Sequence, residues 1–236
     1  MAIEVFNRVE KKYLIDEETY GIFCKLIEPY MEADTFCADN NFYSINNIYY
    51  DTDSNALIRN SIDKPVYKEK LRLRSYGIPT LEDMVFLEIK KKFDGMVNKR
   101  RTLIRLSQAY DFLDDGIVPK EGEYLNTQVI RELEYFMDFY KPKPKVFLKY
   151  DRMALFGKDD PDLRITFDKN IRTRRDNLRL ETGEEGELLL EEGKILLEIK
   201  TGTCFPLWLT TILTENDIKG VSFSKYGTEY QKFMRG

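Results

Sequence analysis

The stretch "VYKEKLRLRSY", residues 66–76, decides how the chain folds. Lys68, Lys70, Arg72 and Arg74 recur at every second position, and alternate side chains of a β-strand share one face about 6.6 Å apart. A strand here therefore carries one wholly cationic face. Its other face, Tyr67, Glu69, Leu71, Leu73 and Ser75, is mostly what a packed surface needs. The same alternation recurs along the chain. Residues 5–15 place Arg8, Glu10 and Lys12 on one face, 84–93 place Glu88 and Lys90, and 97–106 place Lys99 and Arg101. Residues 162–172 add Arg164 and Asp168, and 194–201 add Glu198 and Lys200.

Two further strands are expected at 42–50 and 145–156, and the Asp94–Gly95 pair signals a hairpin. Asp16 suits a helix N-cap for a segment running to Pro29, with Glu17 and Glu18 in its first turn. Other helices are expected at 54–61, across 107–140 with a break near Pro119–Gly122, and at 205–215 and 224–235. The acidic run 181–192 reads as a turn and solvated strand. With no linker and no fixed-period repeat, residues 1–236 read as a single domain. About eight strands joined by hairpins and short crossovers predict an α+β fold, a closed antiparallel eight-stranded β-barrel with helices packed outside. Its charged strand faces would line the lumen and its apolar faces would pack under the helices.

Composition narrows the chemistry. The 236 residues carry a net charge of −4, yet 12 Lys/Arg stand against 5 Asp/Glu between Lys64 and Arg105. A basic stripe on an acidic body is a local anion site rather than a surface that coats nucleic acid. There is no histidine, which removes His-based triads and the usual zinc sites. Cys24, Cys37 and Cys204 form no CxxC spacing, so they read as inert thiols in a reducing, cytoplasmic setting. No apolar run approaches the length of a membrane span. Trp208 reads as helix packing, and Lys11, Lys91 and Arg100 as exterior charges.

A dry charged lumen would cost several kcal/mol per unpaired ion. The lumen is therefore expected to be solvated and matched by a multiply charged anion. The minority carboxylates, Glu10, Glu88, Asp168 and Glu198, are hard oxygen donors suited to Mg²⁺ or Mn²⁺. Cations, polyanion and divalent metal together point to phosphoryl chemistry on a triphosphate.

Nine short stretches then carry a resemblance: "RVEKKYLI", "YYDT", "LRLRSYG", "FLEIKKK", "NKRR", "KYDRMAL", "RITFD", "LEIK" and "FSKYG", in order over residues 8–227. Together they resemble the catalytic domain of the vacuolar transporter chaperone (VTC) polyphosphate polymerases, within the triphosphate tunnel metalloenzymes of the CYTH-like superfamily. The resemblance implies ATP-dependent transfer of a γ-phosphate onto a polyphosphate chain, with Mn²⁺ or Mg²⁺ as cofactor and ATP and polyphosphate as ligands. It implies catalytic cations at Lys12, Arg72, Arg74, Lys90, Arg152, Lys200 and Lys225. Lys99, Arg101, Tyr150 and Ser224 would bind phosphate, joined by Glu10, Lys70 and Arg164 of the charged faces. Glu198 would be the principal metal ligand, with Glu88 and Asp168 beside it. Arg8 stands where the tunnel signature has its first Glu, and Ser222 where eukaryotic polymerases have Lys. A tripolyphosphatase or nucleoside triphosphatase of the same superfamily, and a non-catalytic polyphosphate sensor, are the alternatives.

Overall fold

The computed structural model describes residues 9–35, 37, 41–94, 96–119, 124–202 and 204–235. The opening stretch forms β4 (Tyr67–Tyr76), and its two faces part as the alternation requires. Leu71 and Leu73 are fully buried. They pack with Val85, Leu87 and Ile89 of β5 (Met84–Phe93) and Ile104 of β6 (Met96–Arg105). The same core takes Phe112 from α3 (Leu106–Asp115) and Leu133 and Phe136 from α4 (Thr127–Tyr140), so these helices cover the face opposite the cations.

The second core is built the same way. β1 (Val9–Ile15), β8 (Arg164–Arg174) and β10 (Ile195–Thr201) contribute Tyr13, Ile165, Phe167, Leu197 and Ile199. They pack against Phe23 and Ile27 of α1 (Glu17–Ile27) and Leu209 of α5 (Leu207–Glu215). Asp16 caps α1 by accepting from the Thr19 amide at 2.9 Å. Trp208 stacks flat on Tyr30, ring centres 4.1 Å apart.

β3 (Tyr43–Asp51) and β7 (Lys143–Gly157) complete a continuous antiparallel path, β1-β10-β8-β7-β3-β4-β5-β6. Two short strands lie off it. β2 (Met31–Ala33) pairs the far end of β7, and β9 (Glu187–Leu188), in the acidic run, pairs β8. Sequence patterning missed β2, whose three residues are too few for an alternation signal. Arg174 holds the loop around the acidic run by donating to the carbonyls of Asn177, Arg179, Gly183 and Glu185.

The ten-stranded sheet is open, which corrects the expectation of a closed eight-stranded barrel: among the described residues β1 and β6 end the path and do not pair with one another. The free edge of β1 is engaged by the chain leading into the last helix. Val221 donates its amide to the Lys12 carbonyl at 2.7 Å, and Gly220 bridges Tyr13. A strand that would close the sheet needs those same β1 edge groups. The expected hairpin residue Gly95, the loop at 120–123 and Arg8 fall outside the described residues, although Phe93 pairs directly with Met96 across that turn.

The two remaining helices, one early in the chain and one at its end, pack together. α2 (Ala56–Ile62) and α6 (Lys225–Phe233) meet the concave face of the sheet, where Ile58, Tyr226 and Tyr230 join Ile45, Tyr49, Leu148, Tyr150 and Leu196 in a third core. Asp51 ties both helices to β3. Its carboxylate accepts from the Leu57 and Ile58 amides, both at 2.8 Å, and from the Tyr226 hydroxyl at 3.1 Å.

Candidate anion-binding site

The charged strand faces meet on the concave side, around a cavity of about 290 Å³. All of the site residues expected from the sequence line it except Asp168, which lies directly behind the wall. Of the four cations of the opening stretch, Lys70, Arg72 and Arg74 line this cavity and Lys68 does not. Three ion clusters organise the wall.

In the first, Glu88 is buried and serves three cations. Its oxygens lie 2.5 Å from Arg72 Nε, 2.6 Å from Lys99 Nζ and 3.9 Å from Arg74 Nε. Arg72 faces Glu88 directly across β4 and β5. Burial by itself would raise the Glu88 pKa, but Arg72, Arg74 and Lys99 outweigh it and hold the carboxyl well below the usual carboxylate range. Arg72 also donates to the Tyr49 hydroxyl at 3.2 Å. Burial opposes the Tyr49 phenolate, yet Arg72, Arg74 and Lys70 bring its pKa down to about 8.

The second cluster is centred on Asp168, which is fully buried. Arg152 grips it with a two-pronged pair of bonds at 2.6 and 2.7 Å, and Lys225 Nζ lies 2.5 Å away. Burial alone would raise the Asp168 pKa; the two cations lower it. Arg152 and Lys225 also approach the Tyr150 ring, at 5.1 and 4.4 Å. Arg74 donates to the Tyr150 hydroxyl at 3.0 Å and to Asn47 at 2.8 Å. Each guanidinium is therefore fixed in orientation before any ligand arrives, with donors to spare.

The third cluster alternates sign across β1 and β10. Glu10 faces Lys200, and Lys12 faces Glu198. Lys12 lies 3.2 Å from Glu10 and 3.6 Å from Glu198, and Lys200 contacts both carboxylates. Burial works against the Lys12 charge, but Glu198 and Glu10 outweigh it and raise its pKa. For Glu198, Lys200 and Lys12 lead the cations that overcome burial and keep it ionised far into acid.

Lys70 donates to the Ser224 hydroxyl at 3.2 Å, and the same oxygen caps α6 by accepting from the Gly227 amide. Burial pulls Lys70 and Lys99 down to about 8. Lys90 reaches the cavity from β5, Arg101 lies over the Phe86 ring at 4.6 Å, and Arg164 sits 3.7 Å from Asp34.

No group of three or more metal-ligating side chains occurs among the described residues, so Glu88, Asp168 and Glu198 are not gathered into one centre. Glu88 and Asp168 are instead each enclosed by cations. Glu198 is likewise buried and paired with Lys12 and Lys200, but it shares both lysines with Glu10, so that two carboxylates on neighbouring strands face the cavity together. Opposite Glu198 lies Thr166, whose buried hydroxyl has no hydrogen-bond partner. Hard oxygen donors of this kind fit Mg²⁺ or Mn²⁺, which often takes one or two carboxylates and completes its shell with substrate phosphates.

Asn47, Tyr49, Thr166 and Tyr226 belong to the site and were not singled out from the sequence. Asn47 and Tyr49 alternate on one face of "YSINNIYYD". That is a usable signal, but neutral residues do not stand out beside a row of cations.

A protein in a solved structure from Bacillus halodurans, named as a candidate adenylate cyclase, is 17% identical. It covers 92% of this chain and 93% of its own at a TM-score of 0.52, and so shares the fold. A Vibrio parahaemolyticus protein with the same description is 12% identical, covering 98% of both chains at 0.48. A Pyrococcus horikoshii protein is 13% identical, covering 95% of this chain and 99% of its own, also at 0.48. No curated protein matches the sequence. The family model of the VTC domain matches residues 7–234, and the chain therefore belongs to the VTC domain family.

Proposed function

We propose that the chain is a metal-dependent polyphosphate polymerase, which transfers the γ-phosphate of ATP onto a polyphosphate chain in the cationic cavity. The observation that carries this reading is the anchoring of Arg72, Arg74, Arg152 and Lys225 by buried Glu88 and Asp168 around a cavity in which cations exceed carboxylates. Cations fixed in this way are preorganised for a polyanion whose charge shifts during reaction. VTC family membership supports the same reading.

In the proposed step the terminal oxygen of the acceptor chain attacks the γ-phosphorus, the bond from that phosphorus to the β–γ bridging oxygen breaks, and ADP leaves. The attacking oxygen is already ionised, so a chain without histidine needs no strong general base. Arg72, Arg74 and Arg152 align donor and acceptor phosphates and neutralise their repulsion, and Lys225 and Lys200 take the remaining oxygens. Glu10 and Glu198, with the Thr166 hydroxyl, would hold the divalent ion on the opposite wall. When bound there, that ion would neutralise charge on the transferring phosphate oxygens.

A ³¹P NMR time course of the protein with ATP and Mn²⁺ tests the reading. A growing mid-chain polyphosphate resonance beside ADP is expected. Orthophosphate with ADP and no chain signal would replace the polymerase by a triphosphatase, and an unchanged spectrum would leave an anion-binding module. No helix among the described residues is long and apolar enough to cross a membrane.

A further inference from the structure

Past Lys12, Lys70, Lys90 and Ser224 the cavity opens into a second chamber of about 690 Å³. Its walls add Lys64, Lys68 and Lys92, and Asp94 is its one acidic residue among the described residues. The two chambers are wired differently. In the inner cavity Arg72 faces Glu88, Lys12 faces Glu198 and Arg152 faces Asp168. Where like charges oppose there, Lys90 with Lys99 and Lys200 with Arg164, one of each pair still reaches a carboxylate, Lys99 to Glu88 and Lys200 to Glu198. In the outer chamber Lys68 faces Lys92, and Lys70 faces Lys90 at the boundary.

Like charges directly opposite one another destabilise a strand pair. Among the described residues Lys64, Lys68, Lys70, Lys90 and Lys92 form no ion pair with a carboxylate, and Glu10 favours the Lys90 charge only from beyond ion-pair distance. Lys68 instead donates to the Ser61 carbonyl at 3.2 Å. Its charge is disfavoured by burial and then by Lys92 and Lys64. The arrangement costs stability in the free protein and becomes favourable when an anion lies among the lysines.

We propose that this lysine chamber is a second anion site, which holds the far segment of a polyphosphate chain whose end occupies the inner cavity and so governs how long a chain the protein retains. The assignment rests on the reading of the inner cavity as a phosphate site. Ammonium groups without carboxylate anchors are point charges on flexible stems, which track a polyanion without fixing its register. The inner guanidiniums, held in set orientations, fix the reacting phosphates instead. Phe223 is the only aromatic residue among the described liners, so the chamber offers no platform on which successive bases could stack. A bare phosphate chain suits it better than a polynucleotide.

The test uses the full chain with Lys64→Gln, Lys68→Gln and Lys92→Gln combined, and calorimetric titration with tripolyphosphate, a long-chain polyphosphate and polyadenylate at several salt concentrations. The variant should bind the long polyphosphate about 10-fold more weakly, with a logarithmic salt slope shallower by about 2, as loss of three phosphate contacts requires. Its affinity for tripolyphosphate should stay within about twofold, since that ligand fits the inner cavity and no fixed contact there is removed. Equal losses for both polyphosphates, no loss for the long chain, or an equal loss for polyadenylate would each overturn the assignment. Arg72→Ala supplies the contrast and should weaken both polyphosphates. If the unmodified protein retains long chains through these lysines but makes no polymer from ATP, the polymerase reading fails while the chamber assignment stands.

Discussion

Asp168 shows how a buried carboxylate orients the cations of a site from behind its wall. It is fully enclosed and holds Arg152 through two bonds and Lys225 through one. Asp168→Asn keeps the shape and removes the charge, leaving two poorly solvated cations facing each other. We expect a loss of about 3 kcal/mol in urea unfolding, the cost of breaking a buried pair from one side. Saturating tripolyphosphate should recover part of it, because the anion replaces the missing charge. Arg72→Ala is less simple than a row of free cations suggests. Removing a like charge from a crowded face relieves repulsion, but Arg72 is also the nearest partner of Glu88. Turnover should fall at least about 100-fold, on the scale of a lost electrostatic contact in the transition state. Stability, read by thermal melting, should change by no more than about 1–2 kcal/mol, because Lys99 and Arg74 remain on Glu88.

Among the elements, α6 matters most, because it forms one wall of the site. Ser224 caps it, Lys225 extends from its first turn to Asp168, and Tyr226 stacks on Tyr49 with ring centres 4.8 Å apart. Lys12 of β1 donates to the Phe223 carbonyl just before it, at 3.0 Å. Asp51 joins α6 to α2 and β3, so Asp51→Ala removes the cap of one helix and the anchor of the other. A destabilisation of about 2–3 kcal/mol in urea unfolding is expected. Tripolyphosphate affinity should weaken as well, because Ser224 and Lys225 lose their positioning. The strands and helices themselves were largely legible: β4, β5 and β10 carry clear alternations, and Asp16 caps the helix that follows it, whereas the capping of α6 by Ser224 was not read from the sequence. The "YYDT" stretch was visible as a motif. Its work was not, because the Tyr226 hydroxyl that Asp51 accepts from lies 175 positions away.

For the molecule as a whole, the cationic cavity couples proton binding to folding and, on the proposed function, to anion binding. Lys70 and Lys99 titrate near 8 in the folded chain, below the ordinary lysine value, and Tyr49 titrates near 8, below the ordinary tyrosine value. Between pH 8 and about 10 the unfolded chain therefore holds more protons than the folded one, and these groups make stability rise with pH across that window. Thermal melting of the free protein from pH 7.5 to 9.5 should show this rise. Anion binding runs the other way, since a phosphate chain stabilises the protonated lysines. Calorimetry at pH 8.5 in buffers of differing ionisation enthalpy should show net proton uptake with tripolyphosphate; no uptake would separate these lysines from the ligand.

Period-two charge patterning by itself determined which strand faces are polar, that the helices cover the apolar ones, and that the polar faces are rich in cations, because alternation is a property of adjacent residues. Only the tertiary structure decided three further points. The sheet stays open, because residues 220–221 engage the edge of β1 that a closing strand would need. The charges divide into a carboxylate-anchored cavity and an unanchored lysine chamber, because strand register sets which charges face one another. Finally, Asp168 is closed off behind the wall, gripped by Arg152 and Lys225, while Glu10, Glu88 and Glu198 line the cavity, because burial and neighbours, rather than residue type, settle what a carboxylate does.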